Sequence, residues 1–288
     1  MASITQSTAV QTDQYIPDTL KHDQRPFWQV SVDRVKTIAN EMIFSISRIP
    51  SYLSDVFGYN GKYHQLSKEH SWREANKGLY LLIHGVNGHP AAWDKHLSHL
   101  QKEHPSAEVL APYVPFKGNC SLEKAATPLL HLVQDYAQKF PENPVCLIGV
   151  SNGARIAAYI ETTLSSEINL KVSAIAGPFF GAKLINLAKT LRVASFFFTQ
   201  EFIEEVAFGS MTAKNLIEKM KRSPEGRYEF FVTMDDSHVT PWTSGIPDLN
   251  NGEKIHICSG VGHNSIIDAV SFKQVQNCLT WMKGKKQD

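Results

Sequence analysis

Long apolar runs, metal-ligand spacings and an excess of charge of either sign are all missing from this 288-residue chain. No uncharged stretch approaches the roughly 18 to 20 apolar residues that a membrane-crossing helix needs, so no transmembrane span is expected. The 29 basic and 28 acidic residues leave a net charge of +1, which supplies no bulk field for gripping phosphate backbones. A nucleic-acid partner is therefore not expected. Only four cysteines occur, Cys120, Cys146, Cys258 and Cys278, too scattered for a Cys-x-x-Cys or Cys/His set. They read as reduced core thiols, and neither a metal nor an organic cofactor is implied. The opening residues lack the basic patch and apolar stretch of a secretory signal, so cytoplasmic residence is the expectation.

What is present is the composition of a folded globular protein, 42% hydrophobic and 20% charged. Residues 1–25 are rich in Ser, Thr, Gln and Asp and poor in large apolar groups, which predicts a flexible tail. A helical segment over 26–78 follows. Ile38, Ala39, Met42, Ile43, Ile46 and Ile49 recur at three and four residues between Val35 and Pro50, as in an amphipathic helix. Its plain reading is docking on the main domain. An interfacial membrane helix is the other, although Asp33, Arg34, Lys36, Glu41 and Arg48 do not form a basic polar face. Peripheral membrane contact stays open.

From Leu79 to the end, short apolar runs alternate with longer amphipathic ones. The runs LYLLIH (79–84), EVLAPYV (108–114), VCLIGV (145–150), VSAIAG (172–177), EFFVTM (229–234) and KIHICS (254–259) predict buried strands. A helix capped by Thr127, with Pro128 at its first position, is expected between the second and third. Such alternation implies a mostly parallel sheet with helices on both faces. About 50 residues separate the fourth and fifth strands, far more than one crossover helix needs, which predicts a helical cap over about 181–226. Phe196, Phe197 and Phe198 in that stretch read either as core or as the lining of an apolar pocket.

The third strand runs straight into Gly149-Val150-Ser151-Asn152-Gly153 and then a helical stretch. This is G-x-S-x-G in its strand-to-helix setting, where the turn lifts the serine above the strand ends. LYLLIH likewise ends in His84-Gly85-Val86-Asn87-Gly88, a turn able to aim the Val86 N–H at a developing oxyanion beside that of Asn152. His84 itself reads as structural. Beyond EFFVTM lie Asp235, Asp236 and His238, and beyond KIHICS lies His263 in Gly260-Val261-Gly262-His263-Asn264. Each loop sits at the carboxyl edge of a strand, where open parallel sheets bind ligands.

Residues from about 79 to 283 resemble α/β-hydrolase-fold serine hydrolases, in particular lipases and esterases. The resemblance rests on the His84-Gly85 turn, the Ser151 elbow, the chain order Ser, Asp, His, and Gly177-Pro-Phe-Phe-Gly181, similar to a lipase PHxG stretch with Phe179 in the His position. It implies a triad of Ser151, Asp236 and His263, with Val86 and Asn152 as backbone oxyanion donors. Asp235 is the competing acid. The implied activity is cleavage of a small-molecule or lipid acyl ester through an acyl-enzyme. Thioester or amide cleavage would use the same parts, and a non-catalytic ligand-binding protein is the third alternative.

Overall fold

The computed structural model describes residues 11–13, 23–57, 63–66 and 70–284. Seven strands form one sheet: β1 (Gln11–Asp13), β2 (Leu79–Ile83), β3 (Glu108–Leu110), β4 (Val145–Val150), β5 (Leu170–Ile175), β6 (Tyr228–Thr233) and β7 (Lys254–Cys258). Their spatial order is β1-β7-β6-β5-β4-β2-β3. All neighbours run parallel except β1, which is antiparallel to β7 with Thr12 opposite His256. Each of the six runs read as a strand contains one in the fold, although in EVLAPYV only Glu108–Leu110 form it.

Alternation along each strand builds two cores. Leu79, Leu81 and Ile83 of β2 point to one face, joined by Leu147 of β4 and Phe230 of β6. Helices α3 (Leu122–Lys139), α4 (Asn152–Thr163) and α7 (Met211–Met220) cover that face through residues such as Leu129, Ile156 and Leu216. Tyr80, Leu82, Ile148 and Phe231 point the other way, under α2 (Asp94–Glu103) and α8 (Ser265–Gly284) with their Leu97, Leu100, Ile266 and Val270. Buried on both faces, the strands carry continuous apolar runs because neither face meets water. The four cysteines are free and buried.

Four expectations need correction. Helix α3 begins at Leu122, five residues before Thr127. Ser121 is its cap, its hydroxyl accepting the Lys124 N–H at 3.4 Å, and Pro128 lies inside the helix. The real cap supplies an oxygen nearly two turns earlier, and the helix absorbs Pro128 at the loss of one hydrogen bond. The expected tail is not wholly loose either. Gln11–Asp13 add to the sheet edge through main-chain bonds that need no apolar side chain, and Arg25 reaches Asp33 and Asp235 at 2.8 and 2.9 Å. The rest of 1–22 lies outside the described residues.

The third correction concerns the N-terminal helix, α1 (Phe27–Phe57), which runs through Pro50. Pro50 lies on the exposed side, where the carbonyl that loses its partner meets water. The helix packs on α8 and on the turn at Pro90–Trp93, but with its polar side inward. Asp33, Asn40, Glu41, Arg48 and Asp55 face the domain, while Val35, Ile38, Met42, Ile43, Ile46 and Ile49 are exposed.

Between β5 and β6 only part of the long insertion forms a cap. Helices α5 (Lys183–Thr190) and α6 (Gln200–Val206) enclose a small core of their own made of Ala182, Ile185, Ala194, Phe202, Ile203 and Val206. α7, expected as a third cap piece, packs against α4 and belongs to the main core. Its Leu216, Ile217 and Met220 have the same helical spacing as the cap residues, so spacing did not separate the two.

Candidate active site

The loops that follow β2, β4, β6 and β7 meet at one edge of the sheet. At the tip of β4, Ser151 has φ 55° and ψ −125°, a conformation that turns the chain from strand to helix within one residue. The flanking glycines are sterically required. A Cβ on Gly149 would lie 2.3 Å from the Gly153 carbonyl oxygen, and one on Gly153 would lie 2.1 Å from that of Ile83. Gly85 is required for another reason, since its Cβ would come within 2.9 Å of the Ser151 Cβ. The β2 turn thus approaches the serine with bare backbone, which brings Val86 and Asn152 beside Ser151 on one cavity wall.

Asn152 is held by its side chain. Its Nδ2 donates to the Gly118 carbonyl at 3.1 Å, and its Oδ1 accepts from the Arg155 guanidinium at 3.2 Å. Arg155 is buried, and burial draws its pKa down to about 10. Its other arm donates to the Glu205 carbonyl at 2.9 Å, tying the residue after the serine to the base of the cap. Asn87 and Asn119 both donate to the Phe197 carbonyl, at 3.3 and 3.0 Å, which fixes the cap's aromatic run over the β2 turn.

The β6 and β7 loops bring Asp236 and His263 together. His263 Nδ1 lies 2.8 Å from one Asp236 oxygen and 3.1 Å from the other, both side chains buried. One of those oxygens also accepts the His238 and Val239 N–H groups, each at 2.8 Å. Burial alone would raise the Asp236 pKa, but the imidazolium charge, its hydrogen bond and these two N–H donors carry it below the ordinary carboxylate value. Burial likewise favours neutral His263. The Asp236 charge and hydrogen bond, with Glu41 behind them, outweigh it and raise the His263 pKa.

The neighbouring titratable groups are placed elsewhere. Asp235 is paired with Arg25 and accepts the Gly260 N–H at 2.7 Å. His84 accepts the Val114 N–H at 3.0 Å and lies 2.8 Å from the Gly85 carbonyl, and burial lowers its pKa to about 4. It therefore acts as a neutral strut below the turn. His256 is in β7, 2.7 Å from Glu229. His238 stacks obliquely on His263 with ring centres 4.7 Å apart. Asp236, His238 and His263 place ligand-type atoms within 4.8 Å of one another, but the Asp236 oxygens are already committed to His263 and two backbone donors. That donor set suits proton handling better than cation binding.

Above these groups lies a cavity of about 660 Å³, lined by Ser151, His263, Val86 and Asn152 below and by Leu184, Phe197 and Phe198 of the cap above. Phe196 and Phe197 are largely exposed, Phe197 lining the cavity, while Phe198 packs against the cap core on Phe202, so the run divides between the two readings. Helix α1 supplies a wall of its own through Phe44, Arg48 and Tyr52. Sequence reasoning missed these three, together with Arg25, Asn40 and Glu41. Arg25, Asn40 and Glu41 lie more than 200 positions from the loops they brace, and no spacing rule links them.

No family model matches the chain, and no curated protein matches it in sequence. Solved structures do match in fold. The peroxisomal α/β-hydrolase Lpx1 from Saccharomyces cerevisiae aligns over 72% of this chain and 77% of its own, with TM-score 0.54 and 11% identity. Est1E from Butyrivibrio proteoclasticus aligns over 73% and 90%, with TM-score 0.51 and 16% identity. Lipase B from Aspergillus fumigatus aligns over 68% of this chain at TM-score 0.51 and 10% identity, and this chain spans about half of that lipase's length, 51%. The protein therefore has the α/β-hydrolase fold, with a mostly parallel sheet, helices on both faces and a helical cap. Its structural neighbours are lipases and esterases.

Proposed function

We propose that this protein is a serine hydrolase that cleaves carboxylic esters bearing an apolar acyl group, through an acyl-enzyme on Ser151. The observation that carries this reading is the buried His263–Asp236 pair on the same cavity as the strained Ser151 turn. In the proposed cycle Ser151 Oγ attacks the ester carbonyl while His263 Nε2 accepts its proton. Asp236 holds the imidazole tautomer and balances the imidazolium. The Val86 N–H, in the turn after β2, and the Asn152 N–H, at the start of α4, take the negative charge on the tetrahedral intermediate. His263 then returns the proton to the leaving alcohol, and water repeats the sequence to release the acid. The cap and Phe44 receive the acyl group, which makes a small-molecule or lipid ester the substrate class. Lipase and esterase neighbours support that class, and thioester or amide cleavage is the outcome to be separated by substrate choice.

A fluorophosphonate probe with peptide mapping tests the reading. Labelling confined to Ser151, lost in Ser151→Ala, supports it. Equal labelling of Ser151→Ala, or ligand binding by wild type without any turnover, refutes it.

A further inference from the structure

Helix α1 is mounted inside out. In a surface helix of a folded domain the apolar stripe normally turns inward, whereas here ion pairs and hydrogen bonds do the docking and the apolar side faces solvent. Val35 is 69% exposed and Ile43 64%, and the same face carries Phe27, Trp28, Val32, Ile38, Met42, Ile46, Ile49, Leu53, Val56 and Phe57. At about 100° per residue these side chains spread over roughly half the circumference of the helix, along about 45 Å. The exposed side from Ile38 onward carries no charge at all, and before it only Arg34 and Lys36, both basic.

A second segment continues this surface. In the cap, Leu184, Leu187, Leu191, Val193, Phe197 and, at 81%, Phe196 are exposed, and the charged residues between Ala182 and Gln200 are Lys183, Lys189 and Arg192. All three are exposed and basic. The two segments border one opening, because Phe44, Arg48 and Tyr52 of α1 and Leu184, Val193 and Phe197 of the cap line the same cavity. The exposed charges of these two segments are all basic, whereas α6, the next helix of the cap, carries exposed Glu201 and Glu204.

We propose that the outward face of α1 and the adjoining cap segment dock this protein on an anionic lipid surface, with the cavity mouth turned toward the lipid. An apolar arc of half a helix suits a helix lying at the headgroup boundary, while a seam with a second copy uses a narrower stripe repeating every 3.5 residues. The basic residues Lys183, Lys189 and Arg192 beside the apolar side chains complement anionic headgroups, and a two-fold contact through this segment would set them against their own copies. No described helix is long and apolar enough to cross a membrane, so the contact is peripheral. The polar side of α1 gives docking a route to the site. Glu41 accepts the Asn264 and Ser265 N–H groups at 2.9 and 2.8 Å, beside His263, and Asn40 donates to the Gly260 carbonyl at 2.8 Å.

The test is flotation of the full chain with vesicles of phosphatidylcholine alone or with about one third phosphatidylserine, at low and high salt. Expected is binding to the anionic vesicles that weakens as salt rises, and at least about tenfold weaker partitioning for Ile43→Glu with Ile46→Glu. Placing the same two charges in the opposite layer, His131→Glu with Gln138→Glu on α3, should leave most of the binding. Circular dichroism confirms folding, which exposed positions do not threaten. Partitioning of the α1 double variant equal to wild type overturns the proposal. So does a lipid-free dimer in sedimentation that the same variant dissolves, which would make the face an interface between copies. Because the readout is binding, Ser151→Ala protein serves equally well, and failure of the hydrolase reading is distinguishable from failure of this one.

Discussion

Arg25 grips Asp235 with both arms of its guanidinium, each at 2.9 Å, and so commits that carboxylate to the N-terminal segment. Its neighbour Asp236 faces the other way and meets His263. Asp235 lies in a turn in which the Asp236 N–H returns to the Thr233 carbonyl at 3.3 Å, and the turn sends the two neighbouring carboxylates to different partners, one a brace and the other the proposed triad acid.

Opposite outcomes are therefore expected for the two asparagine substitutions. Asp236→Asn should lower kcat by roughly 10⁴-fold with little change in unfolding midpoint, since the imidazole loses its tautomer and counter-charge. Asp235→Asn should keep most turnover but cost about 2 kcal/mol or more of stability, because it removes one partner of a buried ion pair. Steady-state kinetics and urea unfolding of both variants decide the assignment, and the reverse pattern would exchange the roles.

The raised pKa of His263 sets the direction of the pH profile. Only the neutral imidazole accepts the serine proton, so kcat/KM should rise with pH through one ionisation centred above the ordinary histidine value of about 6.5. Glu41→Gln removes a negative charge that favours the imidazolium, and the midpoint should move down. For stability the sign is opposite. A raised folded-state pKa contributes fully below the unfolded value and is lost as pH climbs through the folded one. A profile unmoved by Glu41→Gln would show that α1 does not tune His263.

Gly153→Ala should be among the most damaging single-methyl additions in the chain. Its Cβ would stand 2.1 Å from the Ile83 carbonyl oxygen, a backbone atom at the end of a buried strand that has nowhere to move. A loss of about 3 kcal/mol or more is expected. Gly209→Ala is the comparison for backbone strain without a clash, since Gly209, unlike helical Gly153, has positive φ, 77°, while its Cβ meets nothing within 4 Å. Equal unfolding midpoints for the two variants would contradict the packing account.

Ala188→Phe in α5 adds a ring to the cap side of the cavity and should shorten the preferred acyl chain. Each methylene shut out is worth about 0.8 kcal/mol, so kcat/KM should fall roughly fourfold per excluded carbon on long esters and hold on acetate or butyrate esters. A uniform loss across chain lengths would place the acyl group elsewhere.

Much of this arrangement was legible in the residues. Strands buried on both faces must be apolar throughout, and a parallel sheet needs helical crossovers, so the six runs from Leu79 to Cys258 declared their layers. The Ser151 turn was legible for a local reason as well, since two glycines at fixed spacing record close approaches of backbone. Both signals depend on residues near one another in the chain. Tertiary structure alone decided which aspartate meets His263, because Arg25, 210 positions before Asp235, settles that choice. The cap ends at Val206 for a similar reason, since α7 has an equally apolar face but finds α4 to bury it. Most of all, periodicity showed that α1 has an apolar side and could not show which side faces the protein. That choice went to Asn40, Glu41 and Arg48, whose partners Gly260, Ser265 and Asp268 exist as a surface only once the sheet has folded.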